Sequence, residues 1–579
     1  MKDSWKLNEI YNDFEDKEFL NDMQKLKEKG EEIRIFCLNL SNYKNKTEAV
    51  EEYISLNEEF ELLCSKLLSY ASFRFSYCTK DEDAARELSK VNSIKNSLNE
   101  SKVRFTSFID DENIKASIKS GRFMDYTFYL SNLLEKKERS LSPDTESLAS
   151  SLELTGSLAW QKLQAQTVAK ALGNVKKPSD EITDPKERQK AAFLFQKEAC
   201  QSVEDVCAAC LNGIKGEAIC MSRKRGFSSP LDQALEGYHF HKDILNNLIE
   251  SIEEYLPSMR EYYKLKAKIL GYGEKLPYFE RTTPIFNSNI SMDFDSAKEM
   301  ILKAFGSFSE KMYAYGKEFF DSGYIDWEIR GFKESGDSCD GIPVLKQSRI
   351  RTHFSNGVSS ANTLAHELGH GYHNLNLFTQ GILNYGYDLP VAETASKFSE
   401  ILFKKELAKE LGEEGKLFSI DFEVSGYINT LVDILSRFYF EKQIFEEREE
   451  GEISAARLNE IMKEAQIKAY GESLDINFAG DFMWVNKPHY YSARRGFYNF
   501  PYAFGAVISI KLFEMMKNNP NVFPYRYDLF LASTGKYGVG DLFKLLDMDL
   551  FSKDFFVSPL EYISEMVKEL SHGIDNKLF

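Results

Sequence analysis

Residues 366–370 read His-Glu-Leu-Gly-His. In a helix, two histidines four positions apart project from one face and can share one tetrahedral metal ion. Glu367 sits beside them, where it can reach a water on the metal without binding the metal itself. Zinc lowers the pKa of such a water to about 7, and a neighbouring carboxylate can take its proton as it attacks a carbonyl. The competing explanation is a pair of helix-surface histidines. Two features weigh against it. Leu364 and Leu368 are also four apart and can anchor the helix from a neighbouring face. Gly369 and Gly371 each cost about 1 kcal/mol in a helix interior, a cost often accepted where another backbone must come close.

A catalytic zinc needs a third protein ligand and an open position. The pattern HExxHxxGxxH fails, because His373 stands where glycine should and Asn376 where histidine should. His373 lies one turn beyond the pair on a similar face and reads as a packing or supporting residue. Glu393, in VAETAS, lies 23 residues past His370 on a second helical segment that a short loop could fold back. It is the better third ligand. Glu400 is two turns later on a similar face and is a supporting candidate. Lys397 stands where an ExxxD continuation would place aspartate.

These residues need elements to hold them. Ser348–Ser355 alternates Ile350, Thr352 and Phe354 with Arg349, Arg351 and His353, the pattern of a strand. Asn356-Gly357 marks a turn. A helix is expected from Ala361 to about Leu377, with Ser359 or Ser360 as N-cap. A second opens at Asp388-Leu389-Pro390, with Asp388 able to cap it and the proline in its first turn. The first ~200 residues are helical in pattern. Leu88, Val91, Ile94 and Leu98, and the stretch EAVEEYISLNEEFELLCSKLLSY, carry apolar stripes that read as core faces. A hydrophilic break with two prolines runs from Gly173 to Gln189. It predicts an N-terminal helical lobe over 1–180 and a catalytic region over 181–579. Helical patterning resumes to about Gly271.

Composition bounds the function. The chain has 579 residues, 43% hydrophobic and 28% charged, with 33 Gly and 14 Pro, which suits a large helical globular protein. A net charge of −17 makes nucleic acid a poor partner. The N-terminus, MKDSWKLNEIYNDFEDKEF, has no apolar signal core. The longest apolar run, Phe497 to Ile510, is broken by Asn499, Pro501, Gly505 and Ser509, so no membrane association is expected. Eight scattered cysteines read as reduced thiols of a cytoplasmic protein. Cys207 and Cys210, with Cys200 and Cys220 nearby, could form a structural zinc site. The surrounding QSVEDVCAACLNGIKG reads better as an amphipathic helix with small buried thiols.

TLAHELGHGYH (Thr363–His373) and VAETASKFSE (Val391–Glu400) resemble the zinc helix and third-ligand helix of the oligoendopeptidase F and thimet oligopeptidase family. TDPKERQKAAF (Thr183–Phe193) and RKRGFSSPLDQAL (Arg223–Leu235) are similar to the start of an oligoendopeptidase F catalytic region. SRIRTHFS resembles the strand that lines the cleft and pairs with substrate backbone. The resemblance implies one zinc per chain on His366, His370 and Glu393, with Glu367 as general base. It also implies a two-lobed, mostly α-helical body split by a deep substrate channel, with a small β-sheet beside the HExxH helix.

Downstream, PHYYSARRGFYNFPYAFG (Pro488–Gly505) resembles the family's His/Tyr segment, whose side chains donate hydrogen bonds to the tetrahedral oxyanion. His489 and Tyr498 carry that role over. Phe500 stands where some relatives have tyrosine, and the spacing from His489 is one residue short, so Tyr491 or Tyr502 could substitute. Each tyrosine could equally be part of an aromatic core. The stretch GKYGVGD (Gly535–Asp541) departs from the Gly-Gly-Ser loop of close relatives.

The implied activity is endopeptidase cleavage of short, unstructured peptides, with folded proteins excluded by access. A peptidyl-dipeptidase would need a cationic clamp for the substrate carboxylate, for which Arg494-Arg495 and Arg349/Arg351 are the candidates. A peptide-binding scaffold would need no general base.

Overall fold

A computed structural model describes residues 5–119, 121, 123–173, 182–286 and 290–578. The protein is mostly helical, with one small three-stranded sheet. Its chain forms two compact units, each drawn from three stretches. The first joins Met1–Pro143, Asn289–Glu410 and Leu512–Met548; the second joins Asp144–Ser288, Leu411–Lys511 and Asp549–Phe579. Packing rather than sequence order therefore defines each unit. Of the break expected between Gly173 and Gln189, residues 174–181 lie outside the described residues; the helix Pro185–Gln201 begins within it, capped by Asp184.

In the first unit, the apolar stripes of the N-terminal segment become core. Val50, Tyr53, Ile54, Phe60 and Leu67 of the helix Lys46–Tyr77 are buried against Phe19, Leu26 and Ile33 of the helix Lys17–Leu38. Val91 and Leu98 are buried with them. The sheet has the order β1-β3-β2, with β1 Ile325–Asp326, β2 Ser338–Ile342 and β3 Gln347–Arg351. β1 pairs parallel and β2 antiparallel to β3. β3 is shorter than the alternation suggested. Beyond Arg351, the amides of Thr352 and Phe354 still donate to Asp326 and Trp327 carbonyls.

That topology corrects one expectation. Within SRIRTHFS, Ser348–Arg351 pairs with β2 and Ile350–Arg351 also with β1, so this central strand offers no continuous free edge for a substrate backbone. The open edge nearest the HELGH helix belongs to β2, whose outer side carries no ladder partner among the described residues.

The HELGH helix spans Val358–Leu377 and packs on β2 and β3. It starts earlier than expected. Gly357, at φ 155°, is the N-cap, and Ser359 and Ser360 fall inside the first turn. The Ser360 hydroxyl instead accepts from the Ser355 amide. The Glu393 helix, Leu389–Leu411, follows with Pro390 in its first turn, as expected.

In the second unit, long helices dominate: Glu204–Lys224, Lys242–Ile269, Lys416–Glu450, Ala455–Tyr470 and Asp554–Leu578. Cys200, Cys207 and Cys210 are buried free thiols, and burial pushes the Cys207 thiol up to about 12. No described helix is long and apolar enough to cross a membrane.

Candidate metal centre

The close approach suggested by Gly369 is present. A Cβ there would lie 2.7 Å from the Ala395 carbonyl oxygen, 2.7 Å from Ser396 Cα and 2.6 Å from Ser399 Oγ. Only glycine lets the Glu393 helix cross at this depth. Gly371 faces the other neighbours, where a Cβ would collide with the Tyr315 hydroxyl and crowd Cys339 Sγ of β2. Leu364 and Leu368 are fully buried and anchor the helix.

The crossing brings His366, His370 and Glu393 together, with one donor atom from each inside a 4.8 Å span. Glu393 Oε2 lies 3.4 Å from His366 Nε2 and 3.9 Å from His370 Nε2. Two donors each about 2.1 Å from one tetrahedral ion lie about 3.4 Å apart, so the three side chains fit a zinc-sized ion. Ser396 Oγ donates to Glu393 Oε2 over 3.1 Å and holds that oxygen toward the histidines.

Glu400 occupies the opposite side of His366. Its Oε1 is 2.7 Å from His366 Nδ1 and 2.6 Å from Lys397 Nζ, and its Oε2 is 3.1 Å from Lys404 Nζ. Burial works against the charged carboxylate, but the two lysines and His366 hold its pKa well below the usual range. An ionised carboxylate only accepts, so His366 Nδ1 carries the proton and Nε2 keeps its lone pair for the metal side.

Burial lowers His370 to about 4, helped by the neighbouring His366. For His366, burial is outweighed by Glu400 and the pKa rises. Burial likewise opposes charge on Glu393, yet His366 and His370 hold its pKa down. Glu367 behaves differently. It is buried, and burial raises it to about 7. Its Oε2 has no hydrogen-bond partner among the described residues. A buried carboxylate with an unsatisfied oxygen beside a donor trio is the arrangement a proton acceptor for a reacting water requires.

His373 is a packing residue. Its ring is fully buried and stacks on Tyr387 at 4.1 Å. Thr534 Oγ1 donates to the Leu531 carbonyl, so His373 Nε2 donates to Thr534 over 2.8 Å. Its Nδ1 has no partner among the described residues, and burial lowers the ring to about 3, which keeps it neutral. Close by, Gly535 packs against the Asn384 and Gly386 carbonyls, which pins the loop that carries Tyr387. Sequence reasoning missed Tyr387. It is half-buried, with the Cys339 thiol and the Glu393 and Asp340 carboxyl groups nearby, and its hydroxyl has no hydrogen-bond partner among the described residues. The signal was available: an aromatic two residues before the Glu393 helix.

The downstream segment lies in the second unit. His489 and Tyr498 stack at 4.6 Å, and Tyr502 follows at 6.0 Å from Tyr498. Tyr498 and Tyr502 are half-buried. Tyr491 is fully buried, with Cys207, Cys210 and Cys200 as its neighbours, and belongs to the core. Asn499 Oδ1 lies 3.4 Å from Arg437 Nη1 and 3.2 Å from His489 Nδ1. Facing a guanidinium, that atom is the amide oxygen, so His489 Nδ1 donates to it. The neutral ring then presents Nε2 as an acceptor; donation from Nε2 requires the imidazolium. Burial lowers the His489 pKa, as do Arg437 and Lys487.

Three of the four candidate clamp arginines are engaged. Arg349 is fully buried and donates to the Lys6 carbonyl and Glu9. Arg351 pairs with Glu334, and Arg494 with Glu153.

Comparison with known proteins agrees with this geometry. Residues 303–561 match the model for Peptidase family M3, and residues 108–171 match that for Oligopeptidase F. Oligopeptidase PepF of Bacillus subtilis is 24% identical over 449 residues, a match covering 76% of this chain and 65% of that protein's length. An oligoendopeptidase F homolog of Borreliella burgdorferi is 23% identical, with 95% of each chain covered. The oligoendopeptidase-F structure from Enterococcus faecium superposes with a TM-score of 0.70 at 17% identity, covering 96% of this chain and all of that one. The shared fold, both family models and the gathered His-His-Glu trio point the same way: residues 303–561 carry the domain of Peptidase family M3, a metallopeptidase family, and the chain is similar to oligoendopeptidase F proteins.

Proposed function

We propose that the chain is a zinc-dependent endopeptidase that hydrolyses internal bonds of short, unstructured peptides. The observation that carries this reading is the placement of Glu367, buried with an unpartnered oxygen, beside donor atoms of His366, His370 and Glu393 that fit one ion. Zinc held there supplies Lewis acidity and an acidified water. Glu367, raised to about 7, takes the proton of the attacking water and passes it to the departing amine. Glu400 fixes the His366 tautomer and Ser396 aims Glu393. The outer edge of β2, next to Cys339 and Gly371, offers backbone groups to an extended peptide. Tyr387 and Tyr498 are the hydroxyls proposed for the oxyanion, with His489 stacked against the Tyr498 ring to position it.

Engagement of Arg349, Arg351 and Arg494 in ion pairs favours this reading over a dipeptidyl carboxypeptidase that relies on those residues. A binding scaffold has no use for a carboxylate held near neutrality. The test is incubation with a pool of short peptides, blocked and free at their ends, with and without a chelator, followed by mass spectrometry of the cuts. Internal cuts in blocked peptides that stop on chelation are expected. Cutting that persists in metal-free protein, or efficient digestion of a natively folded protein, would overturn the reading.

A further inference from the structure

Within the second unit, one group of charges does not balance. Asp433 is buried and accepts from Tyr278 at 2.9 Å and Tyr470 at 3.3 Å. Its other oxygen lies 2.6 Å from Arg437 Nη2, and Arg281 Nε stands 4.0 Å away. Arg281 is further held over the Tyr278 ring at 4.2 Å. Lys487 is the third cation of this group. It is half-buried, its charged neighbours are Arg437, Asp433 and Arg281, and among the described residues its ammonium makes no hydrogen bond or ion pair. Three cations therefore surround one carboxylate. The tyrosines cannot restore the balance, because burial raises the Tyr278, Tyr470 and Tyr490 phenols and keeps them neutral.

A surplus of positive charge that is partly removed from water is costly unless an anion joins it. The group also has idle donors. Among the described residues, the Tyr490 hydroxyl, beside Arg437, and the Asn499 amide nitrogen are buried without partners. Asn499 is the residue whose oxygen links Arg437 to His489. The unbalanced charge thus adjoins the His489–Tyr498 segment.

We infer that Lys487, with Arg437 as a neighbouring charge, forms a subsite for a carboxylate of the peptide substrate, either its C-terminal group or an acidic side chain. This rests on the peptidase reading, which it deepens by naming what part of the peptide is recognised. Arg437 is committed to Asp433 and sets the field; Lys487 makes the contact. A bound carboxylate brings the local sum of charges closer to zero and gives the ammonium the partner it lacks.

Metal-free protein, which cannot turn over substrate, provides the test. Dissociation constants are measured by fluorescence anisotropy for one labelled peptide in three forms: a free C-terminus with no acidic side chain, the same peptide amidated, and the amidated peptide carrying one glutamate. The expected result is about tenfold tighter binding of at least one carboxylate form than of the neutral form, as for a charge-assisted hydrogen bond. Whichever form gains identifies the source. In Lys487→Met the gain should vanish, and in Lys487→Arg it should largely return. Lys487→Met removes a repelled cation, so its Tm should equal or exceed that of the parent. Equal binding of all three forms by the parent, or an undiminished gain in Lys487→Met, overturns the subsite. If no peptide form binds without the metal, the peptidase reading is judged by the cleavage test above and the subsite with N-acetylglycine against its amide. A rise in Tm with the acid alone, lost in Lys487→Met, sustains it, and no rise overturns it.

Discussion

Glu400 Oε1 lies 2.7 Å from Nδ1 of His366, on the side of the ring away from Glu393. This contact fixes which nitrogen of His366 is free for a metal. Because Lys397 and Lys404 hold the carboxylate ionised, the tautomer is set before any ion arrives. Glu400→Gln keeps an acceptor but loses that charge. Zinc affinity should fall about 10–100-fold, the usual cost of losing such a support. His366→Ala, His370→Ala and Glu393→Gln should lose the ion altogether. Chelator-competition titration measures this, and an unchanged affinity in Glu400→Gln would remove its assigned role.

Glu367→Gln should retain one zinc per chain and lose nearly all turnover. Glu367 also ties stability to pH. Its folded pKa of about 7 exceeds its ordinary 4.5, so the folded protein binds this proton more tightly than the unfolded chain. The resulting destabilisation is absent below about 4.5, grows between 4.5 and 7, and is constant above, reaching roughly 3 kcal/mol. Metal-free Glu367→Gln should therefore melt higher than the metal-free parent at pH 8 and alike at pH 4.5. In the zinc enzyme, activity should fall as pH drops through a limb at or below 7, since the base must be ionised. Parallel Tm-against-pH curves for the two metal-free proteins would refute the burial argument.

Gly369→Ala places a methyl group against backbone of the Glu393 helix, at Ala395 and Ser396. Backbone cannot step aside as a side-chain tip can. Despite the better helix propensity of alanine, a net loss of about 1–3 kcal/mol is expected. Zinc affinity should drop as well, because Glu393 is carried on the displaced helix. Urea denaturation and metal titration test both parts; a stabilised variant with full affinity would mean the helices separate freely.

Tyr498→Phe and Tyr387→Phe each remove one hydroxyl and little volume. Loss of an oxyanion donor typically costs about 100-fold in kcat, with KM little changed and zinc retained. Tyr491→Phe should leave kcat intact, since that ring is buried beside cysteines. If Tyr387→Phe is near the parent while Tyr498→Phe is crippled, the first unit supplies no oxyanion donor. The reverse outcome would shift the assignment from the second unit to the first.

The amino-acid sequence determined what is local or periodic. His366, Glu367 and His370 are adjacent in chain, and a helix alone puts them on one face. Glu393 was legible because only a short loop separates its helix from theirs, and Gly369 announced the crossing by its propensity cost. Core stripes such as Val50, Ile54 and Leu67 were legible for the same periodic reason. Tertiary structure decided what depends on partners distant in sequence. Whether β3 or β2 has the free edge depends on β1, since hydrogen-bond capacity on each side of a strand is used by whichever neighbour arrives. Which tyrosine is core and which faces outward depended on the thiols around Tyr491 and the His373 ring beneath Tyr387. Arg349 and Arg351 looked available in sequence, yet one is fully buried and both are paired, while Lys487 drew no notice. A charge is free or spent only relative to counter-charges that folding brings from elsewhere, here Asp433, Arg437 and Arg281, and no spacing along the chain encodes that sum.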